Sequence, residues 1–488
     1  MPETQVLQAF LRRIMKLLWD EYRRNGYWPE GFLRIFPRTW AEGTAAKAHS
    51  TFSVDTGDYS PALEPETVPV DQHDEKKLPT QAPGRYLLTQ KLHAGPVHAA
   101  VRGKSLAISA GHHTLVCHFA LEGELLIVSR EEFEELVEES VPGNNKNAGK
   151  ASRLRSFKVS PDYIDSGARA RRADFKINIL AAIVLEEHAI IITDFNRLSE
   201  IHVLSSARVF AEKDFEPGSE MWNTRLWSCS RSGPDWIVET DAALAYLDSW
   251  RCKVLRENTL TPILDVLLEP DGPGAGIGQH LANDLLFEAA LHPDMPSVCL
   301  CRDDALYSEL RALIPRFMAK FIDPLYFQRC DSIPNTKNPF SFNSIADNNF
   351  RATYVRVYRK NEVRVSADLY NLYQSRGLLD PSHVVGTPYT GTWTPTELQY
   401  KILAVQFFKN SENNRYHIIR AQPPPTWPNV HVKASPFEGI SHVGFATTLG
   451  PASFFEPMQN NGDRQVTPNK CLFVRCLFIV GPVPHPPQ

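Results

Sequence analysis

Three groups of residues in this chain of 488 have types and spacing that chemistry uses. His112, His113, Cys117 and His118 crowd together, with His93 and His98 just upstream. The pattern His-x-x-x-Cys-His brings metal-type donors close. Tetrahedral zinc needs four, and no second pair follows, so strand histidines are the more ordinary reading. Gly272-Pro273-Gly274-Ala275-Gly276-Ile277-Gly278 precedes a helical pattern, as phosphate loops do. Here Pro270-Asp271 intervenes, Pro273 removes an amide donor and no Gly-Lys-Ser/Thr follows, which points to a flexible loop. The acidic groups are Asp194 and the Asp303-Asp304 pair, with Asp303 placed where a helix cap belongs. Gly-x-Ser-x-Gly, His-Glu-x-x-His and Gly-Asp-Asp are absent from the sequence. The expectation is a chain with no catalytic residue, no metal and no cofactor, although a site assembled from distant residues stays open.

Two basic segments are the candidates for nucleic-acid contact. The loop 146–172 holds Arg153, Arg155, Arg171 and Arg172 in the densest cationic stretch of the chain. At 351–364 a hairpin is expected around Lys360-Asn361, with Tyr354, Arg356 and Tyr358 on one strand face. Such an aromatic-basic stripe stacks bases and neutralises phosphates, so Arg356 and Lys360 join the four arginines as candidate RNA contacts.

These residues need elements to hold them. Val6, Leu7, Phe10, Leu11, Ile14, Leu17, Leu18 and Tyr22 recur at helical steps, and Asn25-Gly26 supplies the stop. Residues 1–40, with Trp28, therefore read as an amphipathic arm. Residues 41–84 carry five prolines among acids, Ser and Thr and read as a disordered linker, with Phe52 and Tyr59 the scattered exceptions. Behind such a tether, the apolar face of the arm (Leu7, Phe10, Leu11, Ile14, Leu18, Trp28) is expected to dock on another copy of the chain. Residues 85–345 read as a main, helix-rich globular domain, and 346–488 as a β-rich C-terminal region ending in a strand over 471–480. Ser129-Arg130-Glu131-Glu132 is a capping box. The fold class is α+β with segregated elements.

An apolar content of 43% is ample for a core, and a net charge of −4 argues against a dedicated nucleic-acid wrapper. The eight scattered cysteines, without CxxC pairs, suggest a reducing compartment. Neither a leader nor a bilayer-spanning run is apparent, so no membrane partner is expected. A tethered arm, a large motif-free body, many prolines and aromatics and a reducing compartment together resemble the capsid proteins of small, partitivirus-like double-stranded RNA viruses. The resemblance implies a self-assembling, homodimerising subunit of a virion in the host cytoplasm that encloses RNA. Two other readings stand beside it: an intracellular adaptor whose N-terminal helix recruits a partner, and an enzyme with a dispersed active site.

Overall fold

The computed structural model describes residues 3–36, 52–60, 85–88, 92–119, 123–138, 140–142, 155–160, 176–194, 199–230, 232–331, 340, 344–360, 362–378, 400–410, 413–418 and 427. Its contacts divide the chain into two units, 1–231 with 336–342, and 232–335 with 343–488. The division falls inside the single 85–345 domain that composition suggested. Among the described residues no helix is long and apolar enough to cross a membrane.

The first unit opens with α1 (Thr4–Asn25), which ends as its sequence dictates. Gly26 takes the left-handed cap at φ 78° and its N–H donates to the Tyr22 carbonyl. A nine-stranded sheet follows, built from β1 (Glu30–Ile35), β2 (Phe52–Asp55), β3 (Gly95–Arg102), β4 (Ser105–Ala110), β5 (His113–His118), β6 (Gly123–Ser129), β10 (Ile179–Val184), β11 (His188–Asp194) and β12 (Glu200–Ser205). Its order is β2-β12-β5-β4-β3-β1-β10-β11-β6. Short β7 (Ser140–Pro142), β8 (Arg155–Lys158) and β9 (Lys176–Ile177) form a separate three-stranded sheet. Between β6 and β7, helix α2 (Arg130–Glu138) starts on the expected capping box. The Ser129 amide donates to Glu132, and the Glu132 amide to the Ser129 hydroxyl.

The arm is core. Leu7, Phe10, Ile14 and Leu18 are 0%, 4%, 0% and 0% exposed, packed with Leu33, Val97, Leu106 and Leu125 of the same chain. Leu11 and Trp28 pack at the edge of this cluster, and the Trp28 indole N–H donates to the Val97 carbonyl at 2.8 Å. The expectation that this face docks on a second copy, or recruits a partner, is therefore corrected. Its apolar surface is already covered by the sheet that follows it in sequence. Truncating Ile14 to Ala should cost about 2–5 kcal/mol of stability, as core truncations do. Denaturant unfolding checks this. An unchanged midpoint accompanied by a smaller particle mass would restore the assembly arm.

Part of the expected linker is also structured. β2 runs parallel to β12, with Val54 opposite Val203, and Tyr59 is 7% exposed within the core. A compositional window averages over such a segment. A neighbouring strand supplies the backbone hydrogen bonds that the segment could not make alone.

In the second unit, α3 (Thr240–Glu257), α4 (Ile263–Leu268), α5 (Gln279–Glu288), α6 (Ser297–Arg302), α7 (Asp304–Ala319), α8 (Pro324–Cys330), α9 (Ser344–Thr353) and α10 (Ala367–Ser375) accompany a sheet ordered β13 (Glu362–Ser366), β14 (Tyr400–Asn410), β15 (Asn413–Ile418). Asp303 caps α7 as expected, accepting from Ala305 and Leu306 amides at 3.0 Å. The glycine stretch is a packed pair of turns between α4 and α5. A Cβ on Gly272 or Gly274 would lie 2.2 or 2.0 Å from the carbonyl oxygens of Val266 and Leu267. Only glycine lets the chain fold back that tightly on the end of α4. Arg415, fully buried, donates to Asp265 (2.7 Å) and Asp294 (3.0 Å) and ties β15 to the helical layer. The expected final strand over 471–480 lies outside the described residues.

Candidate active site

The N-terminal turn of α1 carries polar residues on its buried face. Glu3, Thr4, Gln5 and Gln8 are all 7% exposed or less. The helical steps that bring Leu7, Ile14 and Leu18 inward also bring Glu3 and Thr4 inward, whereas Gln5 is buried on the opposite side, the line that continues into Arg12 and Lys16. Oε1 of Gln5 and Nε2 of Gln8 are enclosed without a hydrogen-bond partner among the described residues. Buried polar atoms normally find partners, so each exception calls for an explanation.

Facing this turn is the loop of the β3–β4 hairpin. Arg102 pairs with Ser105 across the strands, which leaves Gly103-Lys104 as a two-residue loop. Gly103 sits at φ 59°, the left-handed region that such loops assign to glycine. The Thr4 hydroxyl donates to the Gly103 carbonyl at 3.4 Å and pins the loop to the helix. Lys104 is thereby held half-buried. Burial pushes its ammonium below the ordinary lysine value, and the Glu3 carboxylate pulls it part of the way back. A lysine whose ammonium is lowered by burial gives up its proton more readily than an exposed one. Along the outer face of α1, Arg12, Lys16 and Arg23 are exposed, with Asp20 next to them and paired to Arg23 at 3.5 Å, so the face carries a modest cationic excess.

The residues singled out by type and spacing do not converge. His113 pairs with the Ser205 hydroxyl (2.8 Å), His118 lies 3.3 Å from the Ser105 hydroxyl, and His112 donates to the Ser206 carbonyl at 3.0 Å. Burial lowers His118 and pushes the Cys117 thiol up. These are strand and turn histidines, each tied to its own neighbour. Asp194 accepts from the amide and hydroxyl of Ser199, both at 2.7 Å, and closes a loop. Among the described residues, Glu21, Glu187 and His188 form the one cluster with metal-ligand geometry. Glu21 already accepts from His188 at 2.7 Å and Arg24 pairs with Glu187, so the cluster reads as an ion network.

Of the candidate RNA contacts, Arg153, Arg171 and Arg172 lie outside the described residues, and Arg155 is placed only as a backbone position in β8. Arg356 and Lys360 are not on a strand face. The chain from 354 to 360 is a run of turns, and the expected hairpin is corrected accordingly. The amides of Arg356, Val357 and Tyr358 all donate to the buried carboxylate of Asp284, at 2.8, 2.8 and 3.0 Å. A carboxylate beneath the segment gives these amides an acceptor that a strand partner would otherwise provide. Nζ of Lys360 turns inward to the Val355 carbonyl, and burial lowers its ammonium.

No protein-family model matches the sequence, and no curated protein matches it. The chain does resemble solved structures. One is MutM in complex with DNA containing carbocyclic 8-oxo-G, at 12% identity and a TM-score of 0.42, over 86% of this chain and 98% of that one. Another is Fpg of Lactococcus lactis with DNA containing an abasic site, at 12% identity and 0.41, over 86% and 100%. A third is the Lactococcus lactis formamidopyrimidine DNA glycosylase non-covalently bound to DNA with an abasic site, at 13% and 0.41, over 86% and 100%. Likeness at this level assigns neither fold nor activity to the chain. It does turn against the capsid resemblance, because these neighbours are DNA-bound enzymes. The self-assembling virion subunit, the absence of an enzyme, and the RNA and homo-oligomer partners are corrected together with it.

Proposed function

We propose that this chain is an enzyme that acts on damaged DNA, with Lys104 and Glu3 as its proton-handling pair. One observation carries the reading. The Thr4 hydroxyl holds the loop of the half-buried Lys104, whose ammonium burial lowers, against the helix start where Glu3 is buried and acts on it electrostatically. Stability alone gives no reason to bury a carboxylate and two glutamines where apolar residues would fit. In hydrolytic excision the glycosidic bond breaks and water adds to the anomeric carbon; the departing base takes a proton, and negative charge stabilises the sugar while it is electron-poor. Lys104 supplies the proton and Glu3 the negative charge. The cations of α1 suit a phosphate backbone. The choice of DNA follows the enzymes named above; the Lys104 loop held against Glu3 is the ground for the chemistry.

The test is direct. The purified full chain is incubated with duplexes carrying 8-oxoguanine, a formamidopyrimidine or an abasic site, and base release and strand cleavage are measured. Release from at least one lesion, absent with undamaged DNA, is expected. Complete inertness toward all three would end the proposal.

A further inference from the structure

The ion network at the C-terminal end of α1 is also a set of metal donors. Glu21, from α1, and Glu187 and His188, from the turn between β10 and β11, each offer one ligand atom, and the three atoms lie within 4.8 Å of one another. Donors around a tetrahedral zinc stand about 3.4 Å apart, so closure asks for shifts on the order of 1 Å. The backbone beneath them is fixed. The Leu185 N–H donates to the His188 carbonyl and the Arg130 N–H to the Glu187 carbonyl, both at 2.8 Å. Glu21 and His188 are already together, with Nδ1 of His188 2.7 Å from Oε1 of Glu21, whose side chain is 3% exposed. Glu187 is held by Arg24, and both of those side chains are about half exposed. An exposed pair of that kind contributes little, so Glu187 can exchange its partner for a metal ion. Charge favours a cation here. Glu186 joins Glu21 and Glu187, and these three carboxylates face the guanidinium of Arg24, while Arg23 is matched by Asp20. The Tyr27 phenol senses all three. Its hydrogen bond to Glu186 at 2.9 Å and the Glu186 charge raise it most, and desolvation, Glu187 and Glu21 add to the rise.

We propose that Glu21, Glu187 and His188 bind a divalent transition-metal ion of the zinc type, which clamps the end of α1 to the β10–β11 turn. The two carboxylates neutralise its charge. The imidazole selects against magnesium and calcium, which take oxygen ligands. Glu21 lies about 25 Å along α1 from Thr4, at about 1.5 Å per residue. The site is therefore separate from the Lys104 loop, and either proposal can fail without the other.

Calorimetry on the full chain, first stripped with a chelator, tests it with zinc chloride and magnesium chloride as probes. Zinc is expected to bind at least about 100-fold more tightly than magnesium. His188→Gln should weaken zinc at least about 100-fold, since even the outer partners of a metal site are worth about 10- to 100-fold. Arg24→Gln removes the competitor for Glu187 and should tighten zinc about two- to fivefold, the scale of one exposed ion pair. Zinc should raise the melting temperature of the wild type and of Arg24→Gln, and leave that of His188→Gln where it stands without metal. No zinc binding, equal affinity for magnesium, or zinc binding that neither substitution changes would overturn the proposal.

Discussion

Replacing Lys104 with Met is expected to lower base excision about 100-fold or more while leaving the folded chain as stable as before, or more so. The catalytic loss follows from the usual contribution of a positioned proton donor, about two to four orders of magnitude. The stability side follows from burial. The Lys104 ammonium is penalised in the folded state, so protonation opposes folding. Folded stability tied to this group rises with pH from the lowered value toward the unfolded one, near 10.4. Methionine keeps the stem and removes the penalty. Lys104→Arg separates the roles further. It keeps a positive charge against Glu3 but cannot release a proton, so it should be nearly as inactive as Met. The wild-type rate should fall as pH rises through the lowered Lys104 value, earlier than an ordinary lysine would allow. Rates against pH for the three proteins, with melting temperatures, decide the matter. Full activity in the Met variant would remove Lys104 from the chemistry.

Much of the scaffold was legible in the sequence, and the site was not. The steps of Leu7, Phe10, Ile14 and Leu18 identified α1 and its buried face, Asn25-Gly26 its end, and Ser129 with Glu132 the start of α2. All of these are local patterns, and local patterns survive folding. What periodicity cannot say is whose surface an apolar face meets. A tether read from composition made another copy seem the natural partner of α1, whereas the sheet covers it. The site failed to show for a related reason. Glu3 reads as a helix-start residue and Lys104 as an ordinary turn residue, and 100 positions of sequence separate them. A signal did exist. Thr4 and Gln8 occupy the same helical stripe as Leu7, Leu11 and Ile14, and polar residues on an apolar face mark either a satisfied network or a working site. The Tyr354–Tyr358 stretch misled in the opposite way. Its alternation suits a strand, but Asp284, 70 residues earlier, takes the backbone hydrogen bonds that a ladder would need.

That carboxylate is where the second unit should break most easily. Asp284 is fully buried and accepts four hydrogen bonds, from the amides of Arg356, Val357 and Tyr358 and from Nε2 of His280 at 3.0 Å. Burial alone would raise its carboxyl. His280 and the amides outweigh that and hold it below the ordinary aspartate value. The sign follows. A depressed carboxyl adds stability that is present above the unfolded pKa, near 3.9, and is lost as pH falls through the folded value. Asp284→Ala leaves several buried donors without an acceptor at once. The expected loss is about 3–5 kcal/mol, the range for breaking a buried charged pair. Asp284→Asn keeps the shape and one carbonyl oxygen and should cost less. Hydrogen exchange localises the effect. The amides of 356–358 should exchange far faster in Asp284→Ala, while those of the β3–β4 hairpin in the other unit keep their protection. Unchanged exchange at 356–358 would mean that the segment is held by something other than this carboxylate.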